Sequence, residues 1–280
     1  MPDPEKARIL HSKVNQTLKE LRRLDKSTIK DVLRDLKRTR LEISEIFKGA
    51  ERFEMPYYRA ILGEIDEKIA GFRDRMSGSV LGAQDISFSS GANLSDDILK
   101  TAGVVFGLPA ISDELLVTAK EFSADLITDM SNEMRTDISR SLRRSLLMGE
   151  NQFDSARRID KIIGTKKTLG YMNRADKISR TEIGRAFSIA RQAKDEAVAE
   201  QVPQMKKQWV TSQDTRVRNK DMGGGRGIIS HVAAHGQIRK IDEPFDVGGE
   251  RLMYPRDERG SPANTVNCRC QSIPYMEEWE

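Results

Sequence analysis

The sequence predicts an α+β protein, with a long, mostly helical N-terminal part followed by a small C-terminal domain with short antiparallel strands. Up to about residue 201, apolar residues recur at spacings of three and four, which is typical of helices. After Pro203, short strand-like segments alternate with Gly, Pro, Asn and Asp turns. Hydrophobic residues make up 38%, charged residues 32% and aromatic residues 6%, which favours long solvated helices over one large core.

We predict that residues 1–90 form an extended helical arm. Apolar residues at helical spacing run from about residue 4 to 48, and Ser27-Thr28 indicate a break and restart within that run. Met55-Pro56 opens the next predicted helix, because proline is tolerated in a first turn. The stretch Ser77–Ser95 is rich in Ser and Gly, and we predict that it is a loop.

Residues 91–171 are predicted to form a helical bundle region. Its strongest helix begins at Ser112-Asp113-Glu114, and a short one runs from Asp154 to Gly164. The strong helix has an apolar residue at every fourth position: Leu126, Met130, Met134, Ile138, Leu142 and Leu146. Because a four-residue step overshoots the helical period of 3.6, this stripe is better explained as a ridge held by bundle partners than as a coiled-coil seam.

Residues 172–280 are predicted to be the C-terminal domain. It opens with a helix over residues 172–201 that has an alanine-rich face, which permits close helix packing. Four strand-like segments follow, at residues 206–212, 237–241, 251–254 and 268–274.

A series of short motifs in this domain resembles a known family. In order they are Arg180-Thr-Glu182, Trp209, Asp214, Arg216, Arg218, His231, Pro244-Phe245, Tyr254-Pro255 and Asn267-Cys-Arg-Cys270. Their order and the closing Asn-Cys-Arg-Cys resemble the Mu F-like minor head protein (head-morphogenesis) family of tailed bacteriophages, over residues 172–276. Two features depart from the family pattern. Twelve residues separate Arg218 from His231, including the glycine-rich segment 223–227, and His235-Gly236 stand where the family tends to have Asp-Gly.

The resemblance implies a non-enzymatic minor structural protein of the phage head. The expected partners are the portal protein, the major capsid or scaffolding protein, and packaged double-stranded DNA bound without sequence specificity. The expected location is the virion, at the head interior or portal vertex, after assembly in the host cytoplasm. Two alternatives are a metal-dependent nucleic-acid-processing enzyme and a helical adaptor that binds only protein. Glu278 and Glu280 form a Glu-x-Glu pair as in some ADP-ribosyltransferases, but no matching Arg and Ser-Thr-Ser strand precedes it.

His231, His235, Cys268 and Cys270 are the sequence's candidate metal ligands. A spacing of four places both histidines on one face of a helical turn, and Cys-x-Cys on a strand points both thiols to one side. Together they would make a structural Cys2His2 zinc site, with His235 as the fourth ligand. The alternative, which we favour, is that the thiols pack as small buried groups and no cofactor is bound. Two cysteines separated by one residue rarely close a structural disulfide.

The charge distribution predicts contact with a polyanion on some faces. The net charge is +4, yet residues 1–40 carry twelve Lys/Arg against six Asp/Glu, and residues 135–191 carry fourteen against six. Candidate DNA-binding residues are Arg143, Arg144, Arg157 and Arg158. The alternative is that these arginines form solvated helix faces. No apolar run approaches the roughly 20 residues that span a bilayer, so no membrane partner is expected.

Overall fold

A computed structural model describes residues 4–48, 55–101, 103, 110–164, 170–219 and 230–277. The protein is 70% helical, and its short antiparallel strands form two small sheets near the C-terminus, so the predicted α+β fold class is confirmed. The helices are α1 (Pro4–Lys48), α2 (Met55–Thr101), α3 (Glu114–Leu147), α4 (Gln152–Gly164), α5 (Tyr171–Ala199) and α6 (Pro262–Thr265). The strands are β1 (Lys206–Val210), β2 (Ile238–Lys240), β3 (Phe245–Val247), β4 (Glu250–Leu252) and β5 (Gln271–Tyr275).

The predicted break at Ser27-Thr28 is wrong, because α1 continues through it. Thr28 and Ile29 are both buried, at 7% and 8% exposure. Burial of this face therefore outweighs the weak local preference of Ser and Thr for helix ends.

The predicted loop over Ser77–Ser95 is also wrong, since the whole stretch lies inside α2. Its small residues allow close packing against α5. A Cβ atom at Gly91 would lie 2.5 Å from the Phe187 carbonyl oxygen, and the Ser87 hydroxyl donates to the Ile183 carbonyl at 2.7 Å. Glycine and serine thus serve here for close helix contact, which outweighs their unfavourable helix propensity.

The predicted start of α3 is confirmed, and so is its ridge except at Leu126, which is half-buried while its neighbour Ile127 lies in the core. The helix begins at Glu114, whose backbone N–H donates to the Ser112 hydroxyl at 3.1 Å. The buried ridge residues are Met130, Met134, Ile138 and Leu142, and Leu146 packs at the edge of the same core.

The chain forms two compact units. One contains residues Met1–Asp25, Ala83–Lys120 and Arg180–Glu280, and the other contains Lys26–Gly82 and Glu121–Ser179. Each unit draws on separate parts of the sequence, whereas the predicted division follows three consecutive blocks. That three-block division stays a prediction.

The second unit has a core built from α1, α2, α3, α4 and the start of α5, and its largest members include Leu36, Phe47, Phe72 and Met76. In the first unit, the N-terminal part of α1 packs against α5 through Leu10, Val14, Leu18, Leu21, Ile183 and Phe187. The segment from Leu10 to Leu21 therefore contributes to that unit's core.

The α5 helix has a polar interior in addition to its alanine face. Arg191 and Asp195 are both buried and form an ion pair at 3.1 Å, and the Ser95 hydroxyl also donates to Asp195. The Lys194 ammonium lies 2.9 Å from the Asp96 carboxylate. Because buried charges need partners, these contacts fix the pairing of α2 with α5.

The larger sheet has the strand order β2-β1-β5, with all neighbours antiparallel, and β3 and β4 form a separate two-stranded sheet. The predicted segment 206–212 is confirmed as β1 and 237–241 as β2, and the segments 251–254 and 268–274 are confirmed in part as β4 and β5. Strand β3 was not predicted. Within the described parts of the chain, no helix is both long and apolar enough to cross a membrane.

Candidate site at His231, Cys268 and Cys270

Three of the four predicted metal ligands meet in the interior of the C-terminal region. His231, Cys268 and Cys270 are each 1% exposed, and their ligand atoms all lie within 4.8 Å of one another. The His231 Nδ1 atom is 3.5 Å from the Cys268 Sγ atom and 3.5 Å from the Cys270 Sγ atom. The fold therefore brings His231 into direct contact with two thiols that lie almost forty residues later in the sequence.

Asn264 orients the imidazole of this cluster. Its side-chain amide donates to the Val247 carbonyl at 3.2 Å, which directs its Oδ1 atom to the His231 Nε2 atom at 3.1 Å. An amide oxygen accepts only, so Nε2 must carry a proton. In the neutral imidazole, the Nδ1 lone pair then faces the two thiols.

Backbone contacts hold the two sides of the cluster. The His231 N–H donates to the Arg218 carbonyl at 3.0 Å, and the Cys268 N–H donates to the Thr265 carbonyl at 3.2 Å. Asn267 has a left-handed backbone, with φ of 59°, and its N–H donates to the Thr181 hydroxyl. Cys268 and Cys270 directly follow this turn and precede β5, so the turn sets the direction of their thiols. The prediction that the two cysteines lie on a strand is wrong.

An apolar shell surrounds the cluster. Trp209 lies edge-on to His231, with ring centroids 6.0 Å apart, and edge-on to Phe245, at 5.3 Å. Val247 and Leu252, from the small β3–β4 sheet, complete the shell. Trp209 and Phe245 are completely buried and anchor this core, whereas Tyr254 is only partly buried.

The two thiols have opposite proton affinities. The pKa of Cys268 lies well below its usual value, first because the Cys270 thiol hydrogen-bonds to it and also because His231 and Arg256 favour its thiolate. The pKa of Cys270 is raised, first by its hydrogen bond to Cys268 and then by burial.

The donor set fits a thiophilic metal ion in part. Zinc bonds of about 2.0–2.1 Å to nitrogen and about 2.3 Å to sulfur, at tetrahedral angles, separate the two ligand atoms by about 3.6 Å. The two Nδ1–Sγ distances of 3.5 Å match this value. Closed structural zinc sites use four protein ligands, however, and the described residues supply three to this cluster.

His235, the predicted fourth ligand, lies elsewhere. It is exposed, its Nδ1 atom accepts from the Thr211 N–H at 3.2 Å, and its Nε2 atom is 2.8 Å from the Gln213 amide. Residues 231–236 form turns instead of the expected helical turn, so the spacing of four does not bring the two rings together.

Asp214, Arg216 and Arg218, which belong to the motif series, form a local network. Its carboxylate accepts the Arg216 N–H at 3.0 Å and pairs with Arg269, and Arg218 donates to the Val266 carbonyl. Arg269, from the closing Asn-Cys-Arg-Cys motif, thus joins this network. The glycine-rich segment 223–227 lies outside the described residues.

The four predicted DNA-binding arginines differ in their partners. Arg157 pairs with Asp154 at 3.6 Å and Arg158 pairs with Glu150, at 2.5 Å. Arg143 donates to hydroxyl groups of Tyr58 and Ser139, and Arg144 donates to the Met148 sulfur. Within the described ranges, the structure records no ion pair for Arg143 or Arg144.

Sequence reasoning missed several functional groups of this region. Asn264 lies in the four-residue helix α6, which directly follows Gly260-Ser261 and is too short to show a pattern of its own. Lys207 is fully buried, and its ammonium donates to the Met253 carbonyl at 2.8 Å and the Gln192 side chain at 3.2 Å. The alternation of Lys207 with Trp209 on β1 is the signal that could have placed it inside.

The fold and this cluster define a helical α+β protein with a small C-terminal module built around two cysteines. Residues 136–273 match the family model described as phage Mu protein F like protein, which supports the assignment of this segment to that family of phage head-morphogenesis proteins. The matched segment includes the end of α3, all of α4 and α5, and the whole His/Cys cluster.

One curated relative also matches. Over 146 residues the chain is 26% identical to the NAD(+)–arginine ADP-ribosyltransferase EFV of Enterococcus faecalis (strain ATCC 700802 / V583). The aligned part covers 52% of this chain and 27% of that protein, so the chain spans about a quarter of the length of this relative. No solved structure matches the chain.

Proposed function

We propose that this protein is a minor structural component of a tailed-phage head, located in the virion and associated with the portal or the capsid interior during head assembly. The supporting observation is the Mu F-like match over residues 136–273. The match covers the helical segments and the C-terminal module together, so it concerns a sizeable folded region and not an isolated motif.

A structural role also suits the His/Cys cluster better than catalysis. Asn264, His231 and Cys268 follow the order of orienting group, base and nucleophile in cysteine hydrolases. Both thiols are 1% exposed, however, and the adjoining cavity of about 50 Å³ has no room for a peptide or nucleotide. The metal-dependent nuclease alternative lacks support as well, since no carboxylate joins the metal-capable group among the described residues.

The cluster's role in this proposal is to hold the segment at His231 against the segment at Cys268 and Cys270. We favour the metal-free form, because the two thiols and the imidazole satisfy one another and a fourth protein ligand is missing from the described part. Each of the three side chains is buried, so their mutual contacts add to the stability of the module.

The turn between α3 and α4 is the proposed portal-binding surface. Leu147, Met148 and Phe153 are 87%, 60% and 66% exposed, and all three lie within the Mu F-like match. Exposed apolar side chains that cluster at one turn are typical of protein-binding surfaces. Point substitutions are better suited to map this contact than deletion of the N-terminal residues, because residues 10–21 contribute to the core and their removal would disturb the fold.

Pull-down of the full chain with the portal protein of the same phage tests this proposal. The double variant Leu147→Ser/Phe153→Ser should lose most of the binding. Leu41→Ser is the control, because Leu41 is 63% exposed but lies outside the Mu F-like match. Equal binding by the double variant would refute this surface, and absence of portal binding by the unchanged chain would refute portal association.

Non-specific DNA binding is the second part of the proposal, and Arg143 and Arg144 support it best because no ion pair occupies them in the described structure. The double charge reversal Arg143→Glu/Arg144→Glu should lower the slope of log affinity against log salt by about 0.9 for each phosphate that the variant no longer neutralises. The matched reversal at Arg157 and Arg158, whose charges are paired, should change the slope less. Equal slopes for all three proteins would support the solvated-face alternative.

The name of the enterococcal relative gives no reason to assign ADP-ribosylation to this chain. The aligned part covers 27% of that protein. Glu278 and Glu280 lie outside the described residues.

A further inference from the structure

A cavity of about 50 Å³ lies beside the His/Cys cluster, within the first compact unit. It is bounded by α1, by α5, by the end of β1 and by the chain from Arg256 to Gln271. Its polar lining consists of Arg22, Asp25, Arg180, Thr211, Ser212, Arg256, Cys268, Arg269 and Gln271. Four guanidinium groups therefore face a small space together with one carboxylate.

Two of the four guanidinium groups have carboxylate partners. Arg180 lies 4.0 Å from Asp25, and Arg269 pairs with Asp214. For Arg22 and Arg256 the structure records no ion pair within its described residues. The pKa of Arg269 is lowered, first by burial and then also by the positive charges of Arg216 and Arg22, so positive charge accumulates at this cavity.

Arg256 is the most informative of the four, because it is 4% exposed. One of its terminal nitrogens donates to the Gly184 carbonyl at 3.0 Å and is 3.3 Å from the Ser188 hydroxyl, but its Nε atom has no acceptor among the described groups. A buried guanidinium without a carboxylate is costly unless anions compensate its charge. Cys268, which lines the same cavity and whose pKa is lowered first by the Cys270 thiol and also by Arg256, is a thiol and not a carboxylate, so the cavity still has room for a further anion.

The local backbone is adapted to hold Arg256 in this place. Arg256 has a left-handed backbone with φ of 70°, which a non-glycine residue rarely adopts. A Cβ atom at position 184 would lie 2.5 Å from the Arg256 Nε atom, so only glycine leaves room there for the guanidinium. These features together direct a cation into the cavity.

Two neutral polar groups complete the lining. The Ser212 Oγ atom and the Gln271 Oε1 atom are buried and have no hydrogen-bond partner in the described structure. Gln271 is itself 5% exposed. The arginines and Ser212 offer donors, whereas the Gln271 oxygen requires a ligand that also carries a proton.

The size of the cavity limits the ligand to a few atoms. A single water needs roughly 10–15 Å³ of such space, so 50 Å³ holds about four water-sized atoms. A tetrahedral oxyanion has four oxygens, and hydrogenphosphate has both acceptor oxygens and one O–H group. Sulfate has the same shape but no proton at neutral pH.

We propose that this arginine-lined cavity binds one free hydrogenphosphate ion, with Arg256 and Arg22 as cationic donors, Ser212 as a further donor and the Gln271 oxygen as the acceptor of the phosphate proton. The site does not depend on the head-protein function. Its occupation joins α1 and α5 to the segment from Arg256 to Gln271, and it therefore stabilises the first unit.

Titration calorimetry of the full chain with inorganic phosphate tests this, with sulfate and chloride at equal ionic strength as comparisons. We expect one phosphate per chain, weaker binding of sulfate and no saturable binding of chloride. Arg22→Gln should weaken phosphate binding roughly three- to tenfold, the range for a partly exposed charge contact. Arg22 is exposed, so this variant should fold.

Arg23→Gln is the matched control, because Arg23 is the next residue of α1, is also exposed and does not line the cavity. It should leave phosphate binding unchanged. Equal losses in both variants would show general surface attraction and would overturn the proposal. Absence of phosphate binding by the unchanged protein would also overturn the proposal. Equal affinities for sulfate and phosphate would overturn it too, because the Gln271 oxygen would then accept no proton from the ligand. Ser212→Ala, which removes one hydroxyl, should also weaken binding, and unchanged affinity would contradict the assigned lining.

Discussion

His231 and Asn264 share a hydrogen bond of 3.1 Å, between Nε2 of the ring and Oδ1 of the amide, in the interior of the C-terminal module. Asn264 is itself held by the Val247 carbonyl, so the ring orientation depends on a chain of two contacts. This relationship connects the small β3–β4 sheet to the two cysteines.

Asn264→Ala should destabilise the protein, since it leaves both the His231 Nε2 proton and the Val247 carbonyl without a partner. We expect a loss of about 1–3 kcal/mol in the free energy of unfolding, measured by urea denaturation. Asn132→Ala is the control, because Asn132 is exposed on α3. A loss no larger than that of the control would show that the hydrogen bond contributes little.

Cys268→Ser and Cys270→Ser should each cost about 1–3 kcal/mol, because a hydroxyl replaces a thiol in an apolar shell with poor hydrogen-bond geometry. Thermal unfolding of the unchanged protein should not respond to a chelator, and elemental analysis should find no stoichiometric metal. A chelator-sensitive melt with one zinc per chain would instead establish the three-ligand metal site.

Lys207 should make stability depend on pH. Burial is the main cause that lowers its pKa to about 8. Between pH 8 and about 10.4, the usual pKa of a lysine, the unfolded chain binds more protons than the folded one. Stability therefore rises with pH across this window, and below pH 8 Lys207 contributes no pH dependence.

Comparison of Lys207→Met with the unchanged protein, by urea denaturation between pH 7.5 and 10, should show that the variant lacks this rise. Lys206→Met is the matched control, since Lys206 is paired with Glu277 and its pKa is raised. A rise of equal size in all three proteins would assign the effect to other groups.

Two glycines of α2 should respond in opposite directions to alanine. Gly91→Ala would place a Cβ atom 2.5 Å from the Phe187 carbonyl oxygen, so we expect a loss of about 1–3 kcal/mol. Gly82→Ala meets nothing within 4 Å and should add about 0.5–1 kcal/mol, because alanine favours a helix. Changes of the same sign in thermal unfolding would contradict this account of α2.

The sequence predicted those features that depend on periodicity or on close spacing. The ridge of α3 follows from its four-residue step, and Cys268 and Cys270 could be paired because only one residue separates them. The histidine partner followed from the family resemblance.

Features that depend on contacts distant in sequence could not be predicted in this way. Ser77–Ser95 has the composition of a loop, yet the stretch is helical because α5, about a hundred residues later, packs against it. The role of Arg256 depends on a cavity between segments that no local pattern connects. Strand β3 is only three residues long and directly follows Pro244, so it offers too little alternation to detect.

The space at Gly184 that accommodates the Arg256 side chain also has an evolutionary consequence. Any side chain at position 184 would meet the guanidinium in its present place, so a larger residue there requires the Arg256 side chain to move. Among relatives, a residue larger than glycine at position 184 should occur only where the residue at position 256 is short. The arginine should have been lost first in those lineages, and the glycine replaced later. The order of the two changes would then be recorded in the family tree, because in the reverse order the guanidinium must first leave its buried place.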